Sequence, residues 1–139
     1  MIILAEAGLR RLGLADSIRS LLEPPFFLPA IGQGALGWEI RTEDQHIAEL
    51  LQPLNHFPSF VAVRAERAML RELQGGCSAP IAALGTVEDS TLTLHGRILS
   101  LDGKHMFDAA SSAPLSDEAE ILGINVAQKL NSLAAVSRG

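Results

Sequence analysis

The hydrophobic positions change period near Pro80. Before it they recur at three and four, the spacing of helix faces. After it they alternate in short runs before a last helical pattern begins. Residues 1–12, MIILAEAGLRRL, predict a helix with Leu4, Ala7 or Gly8, and Leu12 inward, ended by Gly13. Asp16 reads as the N-cap of a second short helix through Ile18, Leu21 and Leu22, which Pro24-Pro25 stops. Phe26-Phe27-Leu28-Pro29 reads as a brief extended run. Trp38-Glu39-Ile40-Arg41 reads as a strand, with Trp38 and Ile40 on one face. Thr42 is the expected N-cap of the next helix, with Glu43 and Asp44 in its first turn. Its stripe is Ile47, Leu50, Leu51 and Leu54; Pro53 should stop it and Asn55-His56 close it.

The most informative stretch is Val61 to Pro80, VAVRAERAMLRELQGGCSAP, opened by Pro58 and Ser59. Val61, Ala65, Met69 and Leu73 share one helix face. Arg64, Arg67 and Arg71 share another, where like charges repel, so that face needs acids from elsewhere, solvent or an anionic ligand. Gly75 and Gly76 are expected to end the helix, and Pro80 prevents its resumption. Cys77, the sole cysteine, then falls on a short loop.

Beyond Pro80, Ile81 to Val87, Thr91 to Leu99 and Lys104 to Ser111 read as strands, separated by the turn signals Glu88-Asp89-Ser90 and Asp102-Gly103. In the middle strand Leu92, Leu94, Gly96 and Ile98 face one way; Thr91, Thr93, His95 and Arg97 face the other. That pattern predicts a three-stranded antiparallel meander with one buried face. A last helix, opened by Asp117, Glu118 and Glu120, carries Ile121, Ile124 or Val126, Leu130 and Leu133 and can cover that face. The fold class is α+β: a C-terminal three-stranded antiparallel sheet packed with helices, preceded by helical and extended pieces.

Composition narrows the function. The chain has 139 residues, 47% of them hydrophobic, and a net charge of −5. Its mean hydropathy of +0.23 is high for a small soluble domain, so some apolar surface is expected to be covered by something outside these residues. The acidic balance argues against non-specific nucleic-acid binding. One cysteine excludes an internal disulfide and fits a reducing compartment, so a cytoplasmic location is expected. No apolar run approaches a membrane span, and Met1-Ile2-Ile3-Leu4, followed at once by Glu6, does not read as a signal peptide.

Three features carry candidate chemistry. AIGQGALG, residues 30–37, has the spacing G-x-G-x-x-G, but no long strand precedes it and no helix follows. A flexible crossing whose backbone can approach a ligand fits better than a dinucleotide loop. Cys77 is either a small buried hydrophobe or a candidate attachment point or nucleophile. Nearby arginines would lower its thiol pKa, and the negative end of the helix works the other way. His56 lacks a visible acid partner and reads as a capping or surface residue. Arg10 and Arg11 point about 100° apart on a helix, so only one can face a given ligand.

LPAIGQGALGWEIR, then LNH, then AERAMLRELQGGCSAPI, then LHGRILSLDG resemble, in order, the C-terminal part of the porphobilinogen deaminases, the hydroxymethylbilane synthases. The GGCxxP loop in its helix-loop-strand setting is the most specific part. The resemblance implies a transferase of tetrapyrrole and haem biosynthesis that condenses four porphobilinogen molecules on a dipyrromethane primer, with release of ammonia. That primer would be held through a thioether to Cys77. The chemistry suits the residue types: a thiolate traps a carbon electrophile as a stable thioether, and arginines hold the acetates and propionates of the pyrroles. By the same resemblance Arg11, in AGLRRLG, and Gln33 and Gly34, in the hinge segment, contribute to the cofactor site, while Arg64, Arg67 and Arg71 are mainly structural. Porphobilinogen and the growing pyrrole chain are the expected partners, with neither nucleic acid nor membrane, and a monomer is expected at full length.

The match also implies a division. Residues 1–24 would be the tail of a second, α/β domain, 25–54 a hinge and a returning segment of the first, and 55–139 the cofactor-carrying domain. The family's catalytic aspartate and most of its substrate-binding cations would lie upstream, leaving no catalytic residue and no metal site here and an inactive chain in isolation. The alternatives are a non-catalytic small-ligand-binding module reusing the C-terminal domain, and a thiol enzyme using Cys77 directly, which lacks a resolving cysteine and an evident base.

Overall fold

Strand β1 (Ile81–Glu88), strand β2 (Thr91–Leu99) and strand β3 (Met106–Pro114) form an antiparallel sheet in the order β1-β2-β3. The computed structural model describes residues 2–74 and 80–136. The register pairs Ala83 with Gly96 and Leu94 with Ser111. The first hairpin is tight because Asp89 and Ser90 both take positive φ, at 45° and 60°, which matches the twist of the strands. The second is longer. Ser100 N–H donates to the His105 carbonyl, and the Asp102 carboxylate accepts from the Ser100 hydroxyl and from Lys104 N–H. Asp102-Gly103 therefore lies inside a longer loop, with β3 beginning at Met106 rather than Lys104.

Helix α3 (Phe57–Glu72) and helix α4 (Ala119–Val136) pack together on one face of this sheet. The pattern named α3's buried face correctly: Val61, Ala65 and Met69 are fully buried and Leu73 packs against the core. Leu92 and Leu94 of β2 meet them from the sheet. In α4 the expected Val126 and Leu130 are buried, but Ile121 and Leu133 are exposed. The buried stripe is instead Ala119, Leu122, Gly123, Val126, Ala127 and Leu130. Small residues win these places because the two helices approach closely. A Cβ at Gly123 would collide with the Ala65 carbonyl oxygen and the Ala68 side chain. Gly96 and Gly85 serve the same end, leaving room for Met69 and Ala62 against the sheet.

The first part of the chain departs from the pattern in several places. Helix α1 is only Glu6–Arg11, with Ala5 as its N-cap, so residues 2–4 are not helical; Gly13, at φ 72°, does end it. The expected second helix is a single 3-10 turn, Ala15–Ser17. Residues 38–41 form no strand, since no neighbouring strand pairs with them. The run at Phe26 is a turn rather than extended, with Phe27 N–H bonded to the Glu23 carbonyl. Helix α2 (Gln45–Leu51) is capped by Asp44, not Thr42: its Oδ1 accepts from Ile47 N–H at 3.1 Å. Pro53 falls in a following 3-10 turn, Gln52–Leu54, as its effect on a helix requires. These short elements share a cause. A helix of one or two turns is marginal without tertiary packing, and Leu12, Leu14, Leu21, Leu22, Trp38 and Leu50 all lie exposed.

Candidate functional site

The site expected from the sequence has two parts, the glycine segment and the cysteine loop, and Glu66 connects the first to the flanks of the second. Glu66 lies on α3 among apolar neighbours and is 6% exposed, the one buried charged residue among those described. Its Oε2 accepts from Gly32 N–H at 2.7 Å and its Oε1 from Gly85 N–H at 2.8 Å. Burial raises its carboxyl pKa above the ordinary glutamate value, against the lowering effects of those two amides and of Arg67. Sequence reasoning passed over it. Its neighbour Ala65 belongs to the apolar face and Arg67 to the basic one, and an acid between them gives no signal of burial.

The glycine segment is a turn held in place. Gln33 N–H donates to the Ala30 carbonyl at 3.0 Å, and Gln33 Oε1 accepts from Ala30 N–H at 3.1 Å. The Gln33 side chain thus closes its own turn. Gly32 and Gly34 have φ of 70° and 86°, backbone conformations that residues other than glycine seldom adopt. Beside Gly34 the space a Cβ would take is open. The expected flexible crossing is instead fastened to the C-terminal unit. Ala83 N–H, on the free edge of β1, donates to the Pro29 carbonyl at 3.2 Å. Gly85 N–H, two residues along the same edge, is the one taken by Glu66. An edge that could otherwise pair with another strand is blunted there.

A second anchor comes from the sheet's outer face. Arg97 donates to the Phe26 and Pro25 carbonyls at 2.8 and 3.1 Å and to Asp108 Oδ1 at 2.9 Å. His95 Nε2 lies 2.9 Å from the same carboxylate oxygen. The alternation assigned His95 and Arg97 to this face; their joint hold on Asp108 depends on the β2–β3 register, which composition does not reveal.

The basic face of α3 finds its acids on α4. Glu120 Oε1 lies 3.7 Å from Arg64 and 3.3 Å from Arg71, and Asp117 lies 4.0 Å from Arg64. Arg64 also lies over the Phe60 ring. That agrees with a structural role for Arg64 and Arg71; Arg67 is exposed. His56 is the N-cap residue of α3, with Nδ1 2.9 Å from Ser59 Oγ. Arg11 is exposed in the last turn of α1, away from any ion pair among the described residues, while Arg10 pairs with Glu6 at 2.6 Å. Gly75, Gly76 and Cys77 lie outside the described residues. The helix has already stopped at Glu72, and Gln74 takes the left-handed conformation, φ 53°, expected of a glycine. Among the described residues no cluster of three or more metal-ligating side chains occurs, and no helix is long and apolar enough to cross a membrane.

A family model described as porphobilinogen deaminase, C-terminal domain, matches residues 60–132. The chain belongs to the porphobilinogen deaminase family. A second model, described as porphobilinogen deaminase, dipyromethane cofactor binding domain, matches residues 1–49. Relatives named porphobilinogen deaminase from Moorella thermoacetica, Synechococcus elongatus and Carboxydothermus hydrogenoformans are 50%, 48% and 46% identical to this chain. The matches cover 93%, 96% and 93% of it and 41%, 42% and 41% of the relatives. The chain therefore spans about two fifths of their length. Dipyrromethane, the cofactor expected from the sequence, is the group named by the second porphobilinogen deaminase model, and the α+β architecture agrees with the first.

Proposed function

We propose that this chain is the cofactor-carrying part of a porphobilinogen deaminase, which makes hydroxymethylbilane from four porphobilinogen molecules and releases ammonia. The observation that carries the reading is the family match along nearly the whole chain, with a sole cysteine between α3 and β1. The residues present fit a covalently held dipyrromethane. Cys77 supplies a thiol, Arg11 an exposed guanidinium for a carboxylate, and Gly34 a backbone with open space beside it. When bound, that group supplies the pyrrole end from which the product chain is built. Gln33 shapes the turn beside it, and Arg11 holds an acidic substituent.

Residues 1–24 would then belong to the second domain, 25–54 to the hinge and a returning piece of the first, and 55–139 to the third. The exposed Leu12, Leu14, Trp38, Ile40 and Leu50 support that division, because they are the residues such domains would cover. Proton transfer and most substrate binding fall to parts of the enzyme that the relatives carry over their remaining length. Alone, this chain binds no substrate productively; at natural length the protein works as a cytoplasmic monomer.

Ammonia release from porphobilinogen tests the reading. The 139-residue chain should give none, while a natural-length protein carrying this sequence should turn over and lose that activity in Cys77→Ser. Turnover by the short chain, or full activity in Cys77→Ser, would overturn it.

A further inference from the structure

We infer that Glu66 is a positioning residue: it locks the Gln33–Gly34 turn to the two elements that flank the cysteine loop. The geometry is specific. α3 ends at Glu72, five residues before Cys77, and β1 begins at Ile81, four residues after it. Glu66 stands on the first of these, holds an amide of the second at 2.8 Å, and holds Gly32, next to Gln33, at 2.7 Å. One carboxylate thus sets three pieces of backbone relative to one another.

The side chain is suited to this and to little else. It has two acceptor oxygens and each takes one backbone N–H, so an amide in its place would set an N–H against an N–H at one of the two positions. A shorter acid could not reach both. Gly32 sits at φ 70°, a conformation glycine adopts freely, so its N–H turns toward Glu66 at little cost in backbone strain. Pro29, joined to Ala83, limits how the segment enters, and Glu66 limits how it leaves. A carboxylate placed only for stability would cost less on the surface, since burial works against its charge.

This inference rests on the proposed deaminase reading for its catalytic consequence, and on the structure alone for the lock. The test uses Glu66→Gln in the natural-length protein, with three readouts: amide hydrogen exchange, kcat and KM for porphobilinogen, and the mass carried by Cys77. The lock predicts that Gly32 exchanges roughly tenfold faster or more, the loss expected for a charge-assisted hydrogen bond, while Leu92 and Leu94 in the core keep their protection. It also predicts that kcat per cofactor-loaded molecule falls about tenfold with KM changed less than about twofold. Unchanged exchange at Gly32 would overturn the lock. Faster exchange with kcat intact would reduce Glu66 to a structural residue and overturn the positioning role. Should Glu66→Gln not fold, Glu66→Asp keeps the charge but reaches only one of the two amides, so Gly32 or Gly85 should exchange faster while the core keeps its protection; protection unchanged at both would overturn the lock. If the unmodified protein carries no dipyrromethane on Cys77, the deaminase reading fails, and exchange at Gly32 alone decides the lock.

Discussion

Residues 57–136 and residues 2–54 are similarly rich in apolar side chains but end in opposite states. In the first region Val61, Met69, Leu92, Leu94, Val126 and Leu130 close into one core between two helices and a sheet. In the second, Leu36 is 93% exposed and Trp38 66%, and among the described residues of this stretch only Leu28 is buried. The same driving force acts on both, about 25 cal/mol for each Å² of apolar surface removed from water. The difference lies in whether the covering surface is encoded nearby. A meander and the helices beside it bring their own partners within a short span of chain. Isolated helices of six or seven residues do not. Apolar content alone therefore does not report self-sufficiency; the presence of paired periodicities does. Between the two regions, residues 25–33 take the side of the packed one, through Arg97, Ala83 and Glu66.

The contrast is broken most directly by the same truncation on each side. Leu94→Ala should cost about 2–5 kcal/mol, the range for a buried leucine, whereas Leu36→Ala should stay within about 0.5 kcal/mol. Denaturant midpoints on the 139-residue chain compare them, and equal losses would dissolve the distinction. Gly123→Ala comes next. Its methyl has no room between α3 and α4, so a cost of about 1–3 kcal/mol is expected, read in the same titration; a neutral result would mean that the helices separate easily.

The fastening of the intermediate segment has a pH signature. Glu66's carboxyl is raised in the fold by burial. Between its ordinary value and its raised one, the folded chain binds more protons than the unfolded chain. Its contribution to stability is present below that interval and is lost as pH rises through it. Unfolding midpoints measured across the interval should fall more steeply with pH in the native chain than in Glu66→Gln. Parallel curves would remove Glu66 as the source. The smallest effect belongs to the surface. Arg71→Ala should cost no more than about 1 kcal/mol, because its pair with Glu120 is exposed. A double-mutant cycle with Glu120→Gln measures the coupling, and a larger value would mean that the α3–α4 seam leans on charge rather than packing.

How far each feature could be read in advance follows the same division. The sheet and α3 were legible because their periodicities are long and each is matched by a neighbour with a complementary face. The starts of the short helices were less legible: Asp44 rather than Thr42 caps α2, and α1 begins only at Glu6. The buried stripe of α4 was half legible. Ile121 and Leu133 look like core by hydrophobicity, yet close helix packing favours Gly123 and Ala127 there. Of the candidate site, Gln33 and Gly34 were named from resemblance, and the turn they form has the positive φ their glycines suggest. Glu66 was illegible because both of its partners are backbone amides, and backbone partners leave no mark in side-chain patterns.

On the proposed reading Cys77 carries the dipyrromethane. Intact mass of the natural-length protein purified from its own source, followed by peptide mapping, tests it directly. The expected result is a chain much longer than this one, with the added mass of one dipyrromethane on the peptide containing Cys77. A bare thiol at Cys77 in a protein that still converts porphobilinogen would contradict it.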